Sequence, residues 1–255
     1  PARAPGGLPQ VVTVHDLAFE RLPEAFDPRF RAFARRAHRR AARRAAAVIC
    51  PSHTTATDIA ALWGVRRERI VVAPHGPGQE PAPARRSEEH FLYVGDAEPR
   101  KNLPTLLAGY AAYRARTPDP VPLVLAGGGP AGALADGVRG AGPVDANALA
   151  DLYARSLVLV HPARHEGFGM TALEAMHAGV PVLAARSPGV TETCADAAAY
   201  FDPRDPADLA HALERLARDP GRRADLAARG ARRAAEHSWE RSARAHLEAY
   251  TLALS

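Results

Sequence analysis

Short runs rich in β-branched residues alternate along the chain with longer stretches in which apolar residues recur every three or four positions. The short runs predict strands and the longer stretches predict amphipathic helices, so the alternation predicts an α/β fold with parallel sheets. The predicted strands span residues 10–15, 47–50, 69–73, 90–95, 122–127, 157–161 and 180–185. The predicted helices span residues 29–45, 54–63, 102–115, 146–155, 170–178, 206–218, 221–236 and 239–253, with Asp205, Asp219 and Ser238 as N-caps.

A segment rich in proline and glycine, residues 74–90, has no periodicity and predicts a linker between two α/β domains. The predicted domains are residues 1–75 and 76–238, followed by a last helix within 239–255. The first domain has only about three strands. Since each strand–helix–strand unit takes ~30 residues, we expect its sheet to be truncated.

Composition places the chain among ordinary globular proteins. Of its 255 residues, 47% are hydrophobic and 24% are charged. No apolar run approaches the ~18 residues that a membrane-spanning helix needs, and the first residues lack the pattern of a secretory signal. The two cysteines, Cys50 and Cys194, form no disulfide framework, and we expect buried free thiols in a reducing cytoplasm. Heavy use of Arg and Ala suggests a GC-rich bacterial genome, and Lys101 is the single lysine among 33 basic residues.

The predicted helix at 29–45 is arginine-rich. Its arginines are expected along one side, with Phe30, Phe33, Ala34, Ala37 and Ala41 on the other. A solvated face and peripheral docking on an anionic membrane both remain open. Nucleic acid is the weakest alternative, and we expect none, because no aromatic stacking platform or groove-reading module accompanies the helix. The arginines are Arg29, Arg31, Arg35, Arg36, Arg39, Arg40, Arg43 and Arg44.

Polar and glycine-rich segments follow several predicted strands, at the edge where open α/β sheets bind ligands. Arg100 and Lys101 come after strand 90–95, a glycine run comes after strand 122–127, and HPARHEGFGM comes after strand 157–161. The helix that begins near Gly169 offers backbone N–H groups to an anion. Together these segments predict an anion pocket, with a nucleoside diphosphate as the implied ligand.

Two glutamates flank the glycine turn of HEGFGMTALE. Glu166 precedes the turn, and Glu174 lies inside the following helix. Carboxylates only accept hydrogen bonds, and vicinal hydroxyls donate them, so we expect each glutamate to bind sugar or ribose hydroxyls. His161 and His165 do not predict a metal site, because they have no third ligand at a suitable spacing and Pro162 interrupts any helix between them.

The segments YVGDAEPRKNLPTLLAGY, LVLAGGGP, GPVDANALADLYARS and HPARHEGFGMTALEAMHAGVPVLAA occur in this order and resemble the donor half of the retaining glycosyltransferases of the group 1 type, family 4. TVHDLAFERLPEAF and ICPSHTTATDIAALWG extend the resemblance toward the start, so that it covers nearly the whole chain. It implies a GT-B-like fold with two Rossmann-like parallel-sheet domains, the first truncated here, and a last helix that returns to the first domain. Two departures stand out: Asp96 occupies a place where the family often has arginine, and the glycine-rich loop of the acceptor side is missing.

The resemblance also implies roles by position. Lys101 would neutralise the leaving diphosphate, Glu166 would face the transferred sugar, and His15 would lie on the acceptor side. Glu174 would bind the ribose, and Val144 would meet the base through its backbone. The remaining implied donor-binding residues are Arg100, Gly127, Gly167, Phe168, Gly169, Met170 and Thr171.

The implied function is retaining, metal-independent transfer of a mannose- or glucose-type hexose from a UDP- or GDP-type nucleotide sugar to a hydroxyl acceptor of unknown identity. No cofactor is expected beyond this donor substrate. A nucleotide-sugar-binding protein without transferase activity, a GT-B epimerase and a phosphorylase remain alternatives. The implied location is the cytoplasm, with or without peripheral contact at the inner membrane face.

Overall fold

The computed structural model describes residues 7–78, 87, 89–129 and 131–255. Residues 79–86 and 88 of the predicted linker lie outside the described residues. The strands are β1 (Val11–Thr13), β2 (Ala47–Cys50), β3 (Ile70–Val72), β4 (His90–Val94), β5 (Leu123–Ala126), β6 (Ala131–Ala135), β7 (Val138–Gly142), β8 (Ser156–His161), β9 (Val182–Ala185) and β10 (Ala198–Phe201). The α-helices are α1 (Ala18–Arg21), α2 (Pro28–Arg44), α3 (His53–Trp63), α4 (Leu103–Arg114), α5 (Ala146–Ala154), α6 (Met170–His177), α7 (Pro188–Cys194), α8 (Pro206–Arg218), α9 (Pro220–Ala235) and α10 (Trp239–Leu254).

The chain divides into two compact units. Unit 1 holds the residues up to Gly76 together with His165–Phe168 and His237–Ser255, and unit 2 holds Pro77–Arg164 and Gly169–Glu236. The predicted second domain, residues 76–238, therefore includes four residues after β8 that group with unit 1 instead.

Unit 1 is built on a parallel sheet with the order β1-β2-β3. Successive side chains of a strand point to opposite faces, and β2 buries both of its faces. Val48 and Cys50 pack in a cluster with residues of α2 and α3, including Ala42 and Trp63. Ala47 and Ile49 face the other side, where α10 covers them through Ala249. Helices thus lie on both faces of this sheet.

Unit 2 is built on a seven-stranded sheet with the order β10-β9-β8-β4-β5-β7-β6. Every pairing in it is parallel except β6 with β7. Without the edge strand β6, the strands read 6-5-4-1-2-3 in chain order, which is the doubly wound arrangement that places the first and fourth strands side by side. Phe91 on β4, Tyr110 on α4 and Leu213 on α8 belong to the buried cluster of one face. The helix α6 packs against β8 and β9.

The predicted α/β class is confirmed, and each of the seven predicted strands and eight predicted helices is found to within about two residues. Asp205, Asp219 and Ser238 accept hydrogen bonds from backbone N–H groups as predicted N-caps. Cys50 and Cys194 are buried free thiols. The prediction for the arginine-rich helix is wrong in one respect: Phe30 and Phe33 are exposed rather than placed on the packed side. In the described part of the chain, no helix has both the length and the apolarity needed to cross a membrane.

Candidate functional site

The functional segments of unit 2 gather where the direction of its sheet reverses. β4 and β8 are neighbours, and their onward connections lead to opposite ends of the sheet. Such a switch point leaves a crevice at the carboxyl ends of the two strands, which is where doubly wound folds bind their ligands. The loops after β4 and β8 carry Lys101 and the start of α6.

The loop after β4 is held firmly beside the loop after β8. A 3₁₀ turn at Pro99–Lys101 ends at Asn102, whose backbone is left-handed with φ 62°. The side-chain amide of buried Asn102 donates to the carbonyl oxygens of Pro162 (3.2 Å) and Pro203 (2.8 Å). The N–H of Arg164 donates to the Arg100 carbonyl at 3.0 Å. Lys101 therefore follows and precedes residues that are both tied to the switch point.

Arg100 is already engaged in this loop. Its Nε lies 2.7 Å from Oε2 of Glu98, and its side chain is only 18% exposed. Because an ion pair at this distance offsets much of the guanidinium charge, Arg100 is a weaker source of positive potential than the sequence suggested.

The glycine loop after β5 is shaped by close approach to the loop after β4. A Cβ at Gly127 would overlap the Gly95 carbonyl, and Gly127 has φ 135°, so no other residue fits there without strain. The Gly127 N–H donates to Gly142 at 3.0 Å, just before Val144 in the loop after β7. The Gly128 N–H donates to Oδ1 of Asp96 at 3.1 Å. Asp96, which departs from the family pattern, thus has a structural partner in this chain.

The start of α6 presents open backbone donors. Gly169 takes the N-cap position with φ 94° and provides no side-chain cap. The carbonyl of Gly169 accepts from Ala172 and Leu173, whereas the N–H groups of Met170 and Thr171 find no acceptor among the described residues. Unpaired N–H groups at the positive end of a helix dipole bind phosphate oxygens well.

Glu174 lies one turn further along α6, where Tyr153 of α5 holds it. The Tyr153 hydroxyl donates to Oε2 of Glu174 at 3.3 Å. Burial raises the pKa of Glu174 above its usual range, and the hydrogen bond from Tyr153 opposes that rise only in part. Burial, together with the nearby Glu174 charge, raises the pKa of Tyr153 well above its ordinary value. Tyr153 thus remains a neutral donor that orients a partly desolvated carboxylate.

The predicted residues of unit 1 form a separate set around Gly167. A Cβ at Gly167 would overlap the His15 carbonyl oxygen and lie 3.0 Å from Cβ of Asp16. The Gly167 carbonyl accepts from Oγ of Ser52 at 2.6 Å and from Oγ1 of Thr55 at 3.4 Å. Buried hydroxyls of the loop before α3 and of its first turn therefore fix the backbone next to Glu166.

Aromatic and imidazole rings pack around Phe168. The ring of His75 lies 5.2 Å from Phe168 and 5.9 Å from His15 between centroids, and the ring of His237 lies 5.6 Å from Phe168. Burial, with the nearby His15 and His246, lowers the pKa of His75. His15 itself is exposed, and Glu166 is buried.

The predicted site residues thus fall into two sets, each described within its own unit. Unit 2 brings together Arg100, Lys101, Gly127 and the start of α6 with Glu174, and unit 1 brings together His15, Gly167 and Phe168 with Glu166. Sequence reasoning missed the residues that hold these groups in place, which are Asn102, Tyr153, Ser52, Thr55 and His75. The PRKN and PSHTTA segments contained three of them, and their polarity beside strand ends was the available signal. In the described ranges, no three His, Cys, Asp or Glu side chains gather closely enough to hold a metal ion.

Comparison with known proteins agrees with this arrangement. The sequence model described as "Glycosyl transferases group 1" matches residues 79–233, and the one described as "Glycosyltransferase Family 4" matches residues 1–77. The chain is 35% identical over 175 residues to O-antigen chain mannosyltransferase B of Escherichia coli, covering 64% of this chain and 46% of that protein. It is 35% identical over 192 residues to D-inositol 3-phosphate glycosyltransferase of Frankia alni, covering 67% and 47%. The chain thus spans less than half the length of these curated relatives.

Solved structures share the fold. Sucrose-phosphate synthase from Thermosynechococcus elongatus superposes with a TM-score of 0.77 at 23% identity, over 94% of this chain and 67% of that one. Anabaena Alr3699/HepE in complex with UDP and glucose gives a TM-score of 0.78 at 20% identity, over 95% and 71%. These neighbours are GT-B glycosyltransferases, which confirms the predicted fold class. Since the group 1 model matches well over half of the chain, the chain belongs to the glycosyl transferases of group 1.

Proposed function

We propose that this chain belongs to an enzyme that transfers a hexose from a nucleotide-diphosphate sugar to a hydroxyl acceptor. The observation that carries the proposal is the start of α6, where open N–H groups of Met170 and Thr171 precede a carboxylate, Glu174, that Tyr153 orients. An anion site followed by an acceptor of hydroxyl donors matches a ligand that joins a diphosphate to a ribose. The names of its relatives, a mannosyltransferase and an inositol phosphate glycosyltransferase, support the same class.

The proposed donor site lies at the switch point of unit 2. The N–H groups of Met170 and Thr171 hold the diphosphate, Glu174 accepts hydrogen bonds from the ribose, and the loop around Val144 meets the base. Lys101 supplies full positive charge to the leaving diphosphate. Transfer then depends on stabilising the negative charge that grows on the leaving oxygen, which is the part of catalysis that fixed cations and N–H donors serve best.

The roles of Glu166 and His15 are proposed from the family pattern. Glu166 is assigned to hydroxyls of the transferred sugar, and His15 to the acceptor side. We propose retention of the anomeric configuration and no requirement for a metal, with the diphosphate as the base toward the acceptor. We also propose a cytoplasmic location, which the two buried free thiols support.

The test uses the full-length protein and its best nucleotide-sugar donor. Lys101→Ala is expected to lower turnover by about 10²–10³-fold, as for the loss of one transition-state donor. Lys101→Arg keeps the charge and is expected to retain part of the activity. Arg204→Ala, an exposed arginine on the loop before α8, serves as a matched control and leaves turnover unchanged. Near-normal turnover of Lys101→Ala would overturn the assignment.

A second measurement separates transfer from binding alone. Calorimetric titration with UDP and GDP reports donor-site occupancy, and release of sugar from the donor reports bond cleavage. Nucleotide binding without transfer or donor hydrolysis in the full-length protein would reduce the function to nucleotide-sugar binding. Requirement for inorganic phosphate would instead indicate a phosphorylase.

A further inference from the structure

The helix α2 carries an uninterrupted positive charge. Pro28–Arg44 contains eight arginines and neither aspartate nor glutamate. Asp27 caps its first turn, where it accepts hydrogen bonds from the N–H groups of Arg29 and Phe30. With this one carboxylate at the helix start, the whole outer length of α2 presents cations to its surroundings.

The packed side of α2 shows which face points outward. Ala34 and Ala42 are buried against the sheet of unit 1. Residues of an α-helix advance by 100° each, so Arg29, Phe33, Arg36, Arg40 and Arg44 lie on the opposite side. The Phe33 side chain is 71% exposed. It therefore stands among arginines at the −4, +3, +7 and +11 positions rather than in the core.

The arginines on this face have no acidic partners in the part of the chain that the structure describes. Arg35, on the flank of the helix, lies 3.3 Å from Glu20. Arg29, Arg36, Arg40 and Arg44 make no ion pair among the described residues. Their charge is thus available to an external anion.

The exposed phenylalanines extend an apolar stripe along the same helix. Phe30 is 53% exposed and stacks on Phe26 with ring centroids 6.2 Å apart. Phe26 in turn meets Phe19 of the unit 1 core at 6.5 Å. Phe33 makes no ring contact with any described residue. The stripe thus runs from the core through Phe30 to Phe33, where it ends in solvent.

We propose that this outward face of α2 docks on an anionic lipid bilayer. A helix that lies in a membrane interface needs cations for lipid phosphates and apolar side chains for the acyl boundary, and this face carries both. Arginine stems lie along apolar surface while their guanidinium groups stay at the phosphate level. A nucleic acid would use the arginines but leave Phe33 in water, because one convex helix offers no groove in which bases stack. The proposal does not depend on the proposed transfer activity.

The experiment measures sedimentation of the full-length protein with vesicles. Phosphatidylcholine vesicles containing about 30% phosphatidylglycerol are compared with pure phosphatidylcholine at low and high salt. We expect binding to the anionic vesicles only, with affinity falling as salt rises. Equal binding to the neutral vesicles, or no binding to either, would overturn the proposal.

Two variants divide the charge from the apolar contact. Arg36→Gln/Arg40→Gln/Arg44→Gln is expected to weaken binding roughly 100-fold, at about fivefold per arginine. Phe33→Ser is expected to weaken it about tenfold, while Phe33→Leu restores wild-type binding. The matched control removes three exposed arginines elsewhere, as Arg204→Gln/Arg215→Gln/Arg232→Gln, and leaves vesicle binding near wild type.

The readouts distinguish folding and other anions from the proposal. An unchanged thermal midpoint and unchanged nucleoside diphosphate binding show that each variant is folded. Loss of vesicle binding in the control triple to the same extent would reduce the effect to net charge and contradict the proposal. Binding of a short RNA duplex that depends on the arginines and ignores Phe33→Ser, at a salt concentration where vesicles do not bind, would assign the face to nucleic acid instead.

Discussion

Gly167 offers a sharp test of how unit 1 holds the segment that carries Glu166. In Gly167→Ala, the new methyl group would overlap the carbonyl oxygen of His15 and lie 3.0 Å from Cβ of Asp16. Most of this obstacle is backbone rather than the end of a flexible side chain, so rotation of a side chain does not relieve it. Either the segment or the loop after β1 has to move.

The expected cost follows from two contributions. Overpacking of a buried site by one methyl group destabilises a protein by about 1–3 kcal/mol. Displacement of Gly167 also weakens the 2.6 Å hydrogen bond that its carbonyl accepts from buried Ser52, which is worth about 1 kcal/mol. We therefore expect unit 1 to lose roughly 2–4 kcal/mol, which lowers the midpoint of urea unfolding by roughly 1–2 M.

Tryptophan fluorescence reports this loss selectively. The chain has two tryptophans, Trp63 and Trp239, and both lie in unit 1. Ser52→Ala removes the hydrogen bond without a clash and is expected to cost less than Gly167→Ala. Gly129→Ala, followed by circular dichroism, is the matched glycine control, because its Cβ would meet nothing within 4 Å. A fluorescence transition of Gly167→Ala that coincides with wild type would refute the reasoning.

Two further predictions concern unit 2. Glu174→Gln keeps the shape and an acceptor for Tyr153 but removes the charge, so we expect UDP or GDP to bind about 10–100-fold more weakly by calorimetry. The 2′-deoxy nucleotide should lose less, and equal losses for the two nucleotides would contradict a ribose contact. His90 is buried on β4 beside Ser156, and burial, with the charges of Arg155 and Arg139, lowers its pKa from 6.5 to about 4. Because the unfolded chain binds this proton first, stability falls by roughly 3 kcal/mol as the pH drops from 6.5 to about 4. His90→Gln should flatten that slope in urea titrations, and an unchanged slope would assign it to other groups.

The sequence predicts most of the framework because its strands and helices differ strongly in pattern. VVTV, AVIC and LVLVH are β-branched or aliphatic runs that only a buried strand explains well. The strands β6 and β7 were missed because AGALA and VRGAG are rich in alanine and glycine and carry little β propensity. The two-residue connection Asp136-Gly137 between them was a hairpin signal that went unused.

The site was predictable at its ligand end and less so at its supports. Glycines and charges at strand ends indicate an anion site directly, since few other structures need both. The partners of those residues come from distant parts of the chain, as Tyr153 does for Glu174 and Ser52 does for Gly167. Such pairs depend on tertiary packing, which spacing does not encode. The exposure of Phe33 has the same origin, because the angle at which α2 meets its sheet decides which side faces outward.

The position of α10 in unit 1 has a consequence for synthesis on the ribosome. The sheet of unit 1 is complete once β3 has emerged, yet the helix that covers Ala47 and Ile49 is the last one made. Unit 2 is translated in between and contains the sequence it needs by Glu236. The nascent chain therefore carries one bare apolar sheet face through most of its elongation, and unit 1 finishes folding after unit 2, although its strands come first. Release of the C-terminus from the ribosome tunnel, rather than synthesis of the strands, sets the moment at which this face leaves water.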